Sequence, residues 1–360
     1  MGSLTIEDTM ISLFRPQIKL SESRIERLAR VASGMLLAGT TELTKVARWV
    51  NQNSWQVGRV RLLERVLDAD YVTQETVYQP LLKHALGFYP ADVWHVVMDR
   101  STISDDIEIL AVTLNYRKRS IPLAWQLVDF GCTSAQEQIE LLKRVFPLIP
   151  PSQKVVFHGD TEFGAVPVMR TVRERNWDFI LAQPANTLFR VPGQPWTMLN
   201  SLPITPQHAI YLSDIQWTQT HAYGPLNLFA FYDPHQNAPF NPRRDYRYCT
   251  TTLPIAHTLR RVGHRRWGVE PFFRDYKSSG WEIEASALTN PFRMERLLIL
   301  LGINYLWSTC LGRWLCKTGR RKEVDPYPSR HLSLFRLGYD WLIHQFRMGN
   351  PCPPLLALYA

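Results

Sequence analysis

Residues 92–99, DVWHVVMD, predict the first strand of a sheet and place an acidic residue at its end. Large apolar side chains alternate along this run with His95, Val97 and Asp99, and a period of two is that of a β-strand. A strand that stops here would present the Asp99 carboxylate at its carboxyl end. Open sheets commonly bind ligands at that end.

Four further runs have the short length and the β-branched or aromatic composition of strands. They are EILAVTLNY at 108–116, IPLAWQLVDF at 121–130, KVVFHGD at 154–160 and WDFILAQ at 177–183. The first three strands follow one another closely, which predicts a meander, and residues 165–176 predict a helix that crosses between the last two strands. The sequence therefore predicts an α/β fold with a mixed sheet and flanking helices.

Asp160 closes the fourth strand as Asp99 closes the first. Taken singly, an aspartate in such a place is more often a turn residue or a helix cap than a ligand. Two acids that leave neighbouring strand ends can nevertheless converge on one cation, and Mg²⁺ prefers carboxylate oxygens. A third acid facing them would complete a two-metal site.

Glu270 is the candidate third acid, in the run HRRWGVEPFFRDYKSSGWEIE at 264–284. The run also contains the basic residues Arg265, Arg266, Arg274 and Lys277. On a helix, Arg266, Glu270 and Lys277 lie near one face, so a metal-binding carboxylate would stand beside cations that hold phosphates. Judged on this run alone, ordinary salt bridging on an exposed helix is the favoured explanation.

The distribution of charge suggests a polyanionic partner. The chain has a formal net charge of +9, and residues 241–360 alone contain 19 basic and 9 acidic residues, which gives 19 − 9 = +10. Nucleic acid is the simplest such partner, since neutralised phosphates supply much of the affinity in its complexes. Solubility alone is the other explanation.

Length and composition indicate a folded protein of roughly two domains. The amino-terminal residues 22–68 have helical periodicity, and Arg59, Arg61 and Arg65 there either face phosphates or form a solvated face. Residues 297–312 are apolar but too short for a comfortable membrane span, so we expect a buried helix. The start of the chain lacks the pattern of a secretory signal, which suggests a cytoplasmic protein.

Three motifs together resemble a known family. VVMDRST at 96–102, VVFHGDTEFG at 155–164 and the run at 264–284 are similar to the three acidic motifs of DDE transposases of the insertion-sequence four type, which move DNA by cut and paste. The third motif of that family runs Tyr, two residues, Arg, three residues, Glu, six residues, Lys. Arg266, Glu270 and Lys277 fit this spacing.

The resemblance implies an RNase H-like fold with a β-rich insertion before the last catalytic helix. It implies that Asp99, Asp160 and Glu270 are the catalytic residues and the ligands of two Mg²⁺ ions, for which Mn²⁺ could substitute. Arg265, Arg266, Arg274 and Lys277 would bind DNA. The implied partners are double-stranded DNA, as terminal inverted repeats and target, and a second copy of the chain in the DNA complex. The location would be the cytoplasm, in association with the nucleoid.

The implied division of the chain has five parts. They are a helical region at 1–90 that is a candidate for DNA binding, a first part of the RNase H-like core at 91–185, the β-rich insertion at 186–255, the last part of the core with the catalytic helix at 256–316, and a basic tail region at 317–360.

Two departures from the family pattern keep alternatives open. Gly263 stands where the family has tyrosine, so that contact is missing or supplied by a neighbour such as His264. Pro271 directly after Glu270 either kinks the helix or marks its start. A catalytically inactive DNA-binding relative, domesticated or decayed, and a metal-dependent nuclease without strand transfer are therefore the alternative functions.

Some neighbouring residues compete for roles at this site. Glu284 is the substitute for Glu270 if Pro271 misorients it, and the other nearby acids are expected to be surface or loop charges. Those acids are Asp105, Asp106, Glu108 and Glu282. Trp267 and Trp281 either stack on an unpaired base or, more commonly for tryptophan, belong to the core.

Overall fold

The structure is a computed structural model, and it describes residues 5–50, 53–104, 107–117, 119–233, 245–277 and 280–359. Its amino-terminal part is helical, as predicted for residues 22–68. The helices here are α1 (Ile6–Phe14), α2 (Glu22–Ala38), α3 (Leu43–Val46), α4 (Gln56–Leu67) and α5 (Gln79–Leu86). Helix α2 ends where Gly39 adopts a left-handed conformation with φ 62°, which glycine accepts without steric cost.

One sheet runs through the middle of the chain. Its strands are β1 (Val93–Ser104), β2 (Ile107–Tyr116), β3 (Arg119–Val128), β4 (Lys154–Gly159), β5 (Asp178–Ala182), β6 (Leu188–Arg190), β7 (Thr197–Met198), β8 (Ile210–Trp217), β9 (Tyr223–Tyr232) and β10 (Tyr246–Thr251). Their order across the sheet is β3-β2-β1-β4-β5-β10-β9-β8-β6-β7. The first three strands form the predicted antiparallel meander, and β4 and β5 run parallel to β1.

Parallel pairing of β1, β4 and β5 requires crossover connections, and two helices supply them. Helix α6 (Ala135–Val145) connects β3 to β4, and it begins with a capping box in which Ser134 and Glu137 bond each other's backbone N–H groups. Helix α7 (Val166–Glu174) connects β4 to β5, as the sequence predicts. The predicted α/β fold with a mixed sheet and flanking helices is thus confirmed.

The β-rich stretch at 186–255 continues this same sheet. Strand β10 returns to pair antiparallel with β5, and β9, β8, β6 and β7 extend the sheet outward from it. The insertion therefore shares a continuous hydrogen-bond ladder with the strands that carry Asp99 and Asp160.

The carboxyl-terminal part is helical again, with α8 (Leu259–Gly263), α9 (Glu270–Lys277), α10 (Pro291–Lys317) and α11 (Leu334–Arg347). Residues 297–312 form the buried middle of α10, as predicted, and α11 crosses close against it. At the crossing, a Cβ on Gly338 would lie 1.8 Å from the Ser308 carbonyl oxygen, so only glycine fits there. No helix in the described ranges is both long and apolar enough to cross a membrane.

Candidate active site

Asp99 and Asp160 lie side by side on one face of the sheet. The parallel register of β1 and β4 pairs Val97 with His158. Asp99 comes two residues after Val97, and Asp160 comes two residues after His158. Residues two apart in a strand point to the same face, and paired residues of parallel strands share that face. Adjacent strands are roughly 4.8 Å apart, so the two carboxylates come from neighbouring positions.

The predicted end of the first strand at Asp99 is wrong. Strand β1 continues to Ser104 because β2 pairs with it over that whole length, from Val96 opposite Leu114 to Ser104 opposite Ile107. The pairing with β4 does stop at Val97. Asp99 therefore lies within the β1–β2 hairpin but beyond the last residue of β1 that pairs with β4. This position puts it next to Asp160, which also lies just beyond that pairing.

Asp160 directly follows β4, as predicted, and also caps the next turn. Its Oδ1 accepts a hydrogen bond of 2.9 Å from the backbone N–H of Glu162, at the start of the 3₁₀ turn Thr161–Phe163. Gly159 allows this turn to fold tightly, since a Cβ there would lie 2.6 Å from the Cβ of Phe163. The cap fixes one carboxylate oxygen and leaves the other without a hydrogen bond from a described residue.

Glu270 is the first residue of α9, so Pro271 marks the start of this helix and does not kink it. The residues before it form a 3₁₀ helix, His264–Gly268, that packs on β2 and β4. The Glu270 side chain is exposed. Arg266 belongs to the 3₁₀ helix, so the predicted common helix face for Arg266, Glu270 and Lys277 is wrong.

The pKa of Asp99 shows that the charges of the other two acids act on it. Burial raises this pKa from 3.8 to about 6, the Arg266 guanidinium and the Arg100 backbone N–H lower it, and the charges of Asp160 and Glu270 raise it further. Both acids are thus near enough to act on Asp99. Among the described residues, however, no three His, Cys, Asp or Glu side chains are gathered closely enough to hold a metal ion.

These residues fit a hard divalent cation by their chemistry. Carboxylate oxygens are its preferred ligands, and negative charges that repel one another in a partly buried place are stabilised when a cation enters between them. The site has the donors for such an ion, while their side chains are not drawn into one cluster in this structure.

The predicted DNA-binding cations differ in burial. Arg266 is half-buried with its guanidinium 4.1 Å from the ring centre of Trp267, and its charge is the largest attractive influence on Asp99. Lys277 ends α9 half-buried beside an apolar pocket lined by Ile103. Arg265 and Arg274 are exposed.

Sequence reasoning missed an ion-pair network that braces the two aspartates from the opposite face. Arg100 pairs with Glu108 on β2 and donates from Nε to Glu162 at 3.2 Å. Glu162 in turn accepts from the N–H and the hydroxyl of Thr133, at 2.8 and 2.7 Å. The network joins the residue after Asp99 to the turn after Asp160, so it fixes their relative positions.

The alternation of side chains along the first strand is the sequence feature that could have predicted this network. A charged residue next to Asp99 must point to the opposite face of the sheet, where a lone arginine would need a partner. Glu108, expected to be a surface or loop charge, is instead buried at 7% exposure as that partner.

A pair of histidines lies beneath the aspartates on the same face. The His95 Nδ1 and His158 Nε2 atoms are 3.0 Å apart. Burial and the charge of Arg265 lower the pKa of His95 to about 4, and burial, His95 and the nearby arginines lower that of His158. Both rings are therefore neutral at neutral pH and add no positive charge beneath the acids.

The competing residues are placed as follows. Trp281 is fully buried and belongs to the core, which was the favoured interpretation of this residue, whereas Trp267 is 38% exposed. Glu282 and Glu284 are exposed. Asp105 and Asp106 lie outside the described residues. Gly263 lines a cleft beside Asp160 together with Trp267, on the side where a tyrosine in this position would extend.

Comparison with known proteins adds a family assignment. Residues 126–307 match the family described as "Transposase DDE domain", a range that includes Asp160 and Glu270 and begins after Asp99. The cryo-EM structure of the piggyBac transposase synaptic complex with hairpin DNA is similar with a TM-score of 0.45 and 12% identical residues, over 96% of this chain and 80% of that chain. No curated protein sequence matches the chain.

Proposed function

The chain belongs to the transposase DDE domain family, and on that premise we propose that it catalyses cut-and-paste transposition of an insertion sequence. The reactions are metal-dependent strand cleavage and strand transfer at terminal inverted repeats. The observation that carries the proposal is that Asp99 and Asp160 both lie just beyond the last pair of the β1–β4 ladder, with the charges of Asp160 and Glu270 acting on Asp99.

In this proposal, Asp99, Asp160 and Glu270 are the catalytic residues and hold two Mg²⁺ ions, with Mn²⁺ as a possible replacement. Two such ions supply activation of the attacking oxygen and stabilisation of the leaving oxygen of a phosphodiester. The protein's part is to set the donors. The sheet register would set the two aspartates, and Glu270 would supply the third carboxylate from the start of α9.

The arginines and the lysine around the site would hold the DNA backbone. The charge of Arg266 acts on Asp99, so phosphates near the cut would offer it a second anionic partner there. Lys277, Arg265 and Arg274 would bind phosphates farther from the cut. Trp267, half-exposed beside Arg266, is suited to stack on an unpaired base.

We propose double-stranded DNA as the partner, as element ends and as target, with two copies of the chain in the DNA complex. The excess of +10 charges in residues 241–360 supports this partner, because that part of the chain contains the 3₁₀ helix, α9 and their cations. The corresponding location would be the cytoplasm, in association with the nucleoid.

The test is cleavage of DNA that carries the sequences flanking the gene, with purified protein and Mg²⁺. We expect release of the element end, and we expect Asp99→Asn, Asp160→Asn and Glu270→Gln each to lower its rate by at least about a hundredfold while DNA is still bound. Glu284→Gln is the matched control, since this exposed glutamate lies near Glu270 in the chain, and it should cut normally.

Other outcomes point to the alternative functions. Salt-dependent DNA binding without any nicking would identify a catalytically inactive relative. Nicking that is never followed by joining of pre-cut ends to target DNA would identify a metal-dependent nuclease. Full activity of Asp99→Asn would remove Asp99 from the site.

A further inference from the structure

A second cleft lies on the same face of the sheet as the acids, toward the opposite end of β1. We call it the Asn115 cleft. It is lined by Asn115, Arg117, Arg261, His264, Arg265, Trp267, Gly268 and Pro271 and has a volume of about 510 Å³. Ala111, Thr113 and Asn115 alternate on β2, and the first two pair with Asp99 and Val97, so Asn115 shares the face of Asp99.

The cleft is strongly basic and has no described acidic side chain in its lining. Arg117, Arg261 and Arg265 are all exposed, and none of them makes a salt bridge with a described residue. Elsewhere on this protein, arginines are commonly paired, as Arg336 is with Asp340 and Arg293 with Asp68. Three guanidinium groups that form no ion pair with a described acid repel one another around one cleft unless an anion lies between them.

The walls of the cleft are built closely. The Asn115 side-chain amide donates a hydrogen bond to the Arg265 carbonyl oxygen, which ties the 3₁₀ helix to β2. Gly268 packs directly on this amide, since a Cβ there would lie 2.5 Å from Asn115 Nδ2. Arg117 has a left-handed backbone with φ 48° at the β2–β3 turn, a conformation that an arginine adopts at a cost.

Arg265 and Arg266, which are neighbours in the 3₁₀ helix, act on different parts of this surface. The charge of Arg266 acts on Asp99, whereas the charge of Arg265 acts on His95 and Tyr89 and its side chain lines the Asn115 cleft. His264 and Trp267 line both this cleft and the one lined by Gly159 and Gly263, so the two clefts adjoin. The basic surface therefore continues from the acids to the cleft.

The strand register gives the distance between Asp99 and the Asn115 cleft. Ala111 lies opposite Asp99, and Asn115 is four residues farther along β2, which is about 13 Å at the rise of a strand. A DNA strand advances about 3.4 Å per nucleotide along the helix axis, so about four nucleotides span this distance.

We infer that the Asn115 cleft is a second phosphate-binding site, which holds the backbone of the DNA strand about four nucleotides from the phosphate cut at Asp99 and Asp160. The inference rests on the proposed function. Arg117 and Arg261 are its new binding residues, and Arg265 takes a defined position there. Its role is to fix the register of the strand along the sheet.

The test compares Arg117→Ala/Arg261→Ala with the wild type in binding to duplex DNA from the flanks of the gene, measured by fluorescence anisotropy over a range of salt concentrations. Each phosphate contact contributes about 0.9 to the slope of log K against log salt concentration. We expect the double variant to lower this slope by about 1.8. The matched control is Arg170→Ala/Arg173→Ala, which removes two exposed cations from α7.

Position is tested by a scan of single methylphosphonate substitutions, which remove one phosphate charge at a time. A substitution about four nucleotides from the cut should weaken binding of the wild type, and it should weaken binding of the double variant, which keeps only Arg265 in the cleft, by less. An unchanged slope in the double variant, or an equal loss in the α7 control, would overturn the inference while the proposed function stands. Absence of any salt-dependent DNA binding by the wild type would overturn both.

Discussion

Asp99→Asn should stabilise the protein in the absence of divalent ions, and it should do so only above acid pH. A pKa displaced from 3.8 to about 6 means that the folded protein holds the Asp99 proton more tightly than the unfolded chain does. The contribution of this carboxyl to stability is therefore fully present below pH 3.8 and is lost as the pH rises through 6. Asparagine does not ionise, so the variant keeps its stability over this range.

The size of the effect follows from the displacement of the pKa. A rise of the Asp99 pKa from 3.8 to about 6 means that folding favours the protonated form over the ionised form by about 3 kcal/mol. The difference in unfolding free energy between Asp99→Asn and wild type should therefore grow by about 2.5 kcal/mol between pH 4 and pH 7.5, since a small part is already present at pH 4. Titrating groups that do not interact with Asp99 contribute equally to the two proteins and cancel in the difference.

The assay is urea unfolding of both proteins across this pH range in the presence of a chelator, followed by circular dichroism. Asp129→Asn is the control, because Asp129 is exposed and its substitution should give a curve parallel to the wild type. Parallel curves for Asp99→Asn as well would refute the reasoning, since they would mean that Asp99 is solvated and apart from the other acids. Saturating Mg²⁺ should stabilise the wild type selectively and so reduce the advantage of the variant.

Three further predictions concern the surroundings of the site and the core. Arg266→Ala should raise the pKa of Asp99 further, because its guanidinium lowers that pKa, and carboxyl NMR titration would detect the change, whereas an unaltered pKa would contradict it. Gly268→Ala should cost about 1–3 kcal/mol in urea unfolding by pushing against Asn115, and adding Asn115→Ala should recover part of this loss; additive losses would contradict the contact. Gly338→Ala should destabilise by at least about 3 kcal/mol in thermal unfolding, because its Cβ would overlap the Ser308 carbonyl oxygen, and a near-neutral effect would exclude this helix crossing.

The strands of the core could be predicted because local and tertiary preferences agree there. The meander, the helix at Val166–Glu174 and the fifth strand lie where alternation and helical periodicity place them. The end of the first strand could not be predicted in this way. Strand β1 pairs with β4 only as far as Val97 but with β2 as far as Ser104. The sequence of β1 shows a single alternating pattern, which does not reveal that the two pairings end at different residues.

Side-chain networks were the harder part of the site. Glu108 follows a polar turn in the sequence and looks like a loop charge, but the hairpin register sets it opposite Thr102 and beside Arg100. Likewise, Arg266 fits a helical face by spacing, and Pro271 moves the helix start to Glu270, so the arginine belongs to the preceding 3₁₀ helix. The Asn115 cleft depends on segments about 150 residues apart, which no local pattern connects.

The central claim is that Asp99, Asp160 and Glu270 act as one cation site. A crystal structure of the protein soaked with Mn²⁺, with the ions located by anomalous scattering, tests it most directly. The account predicts manganese bound by oxygens of all three side chains, with the Glu270 carboxylate drawn toward the aspartates. Manganese held without Glu270, for example by Glu284 in its place, or no manganese beside Asp99 and Asp160 at saturating concentration, would contradict it.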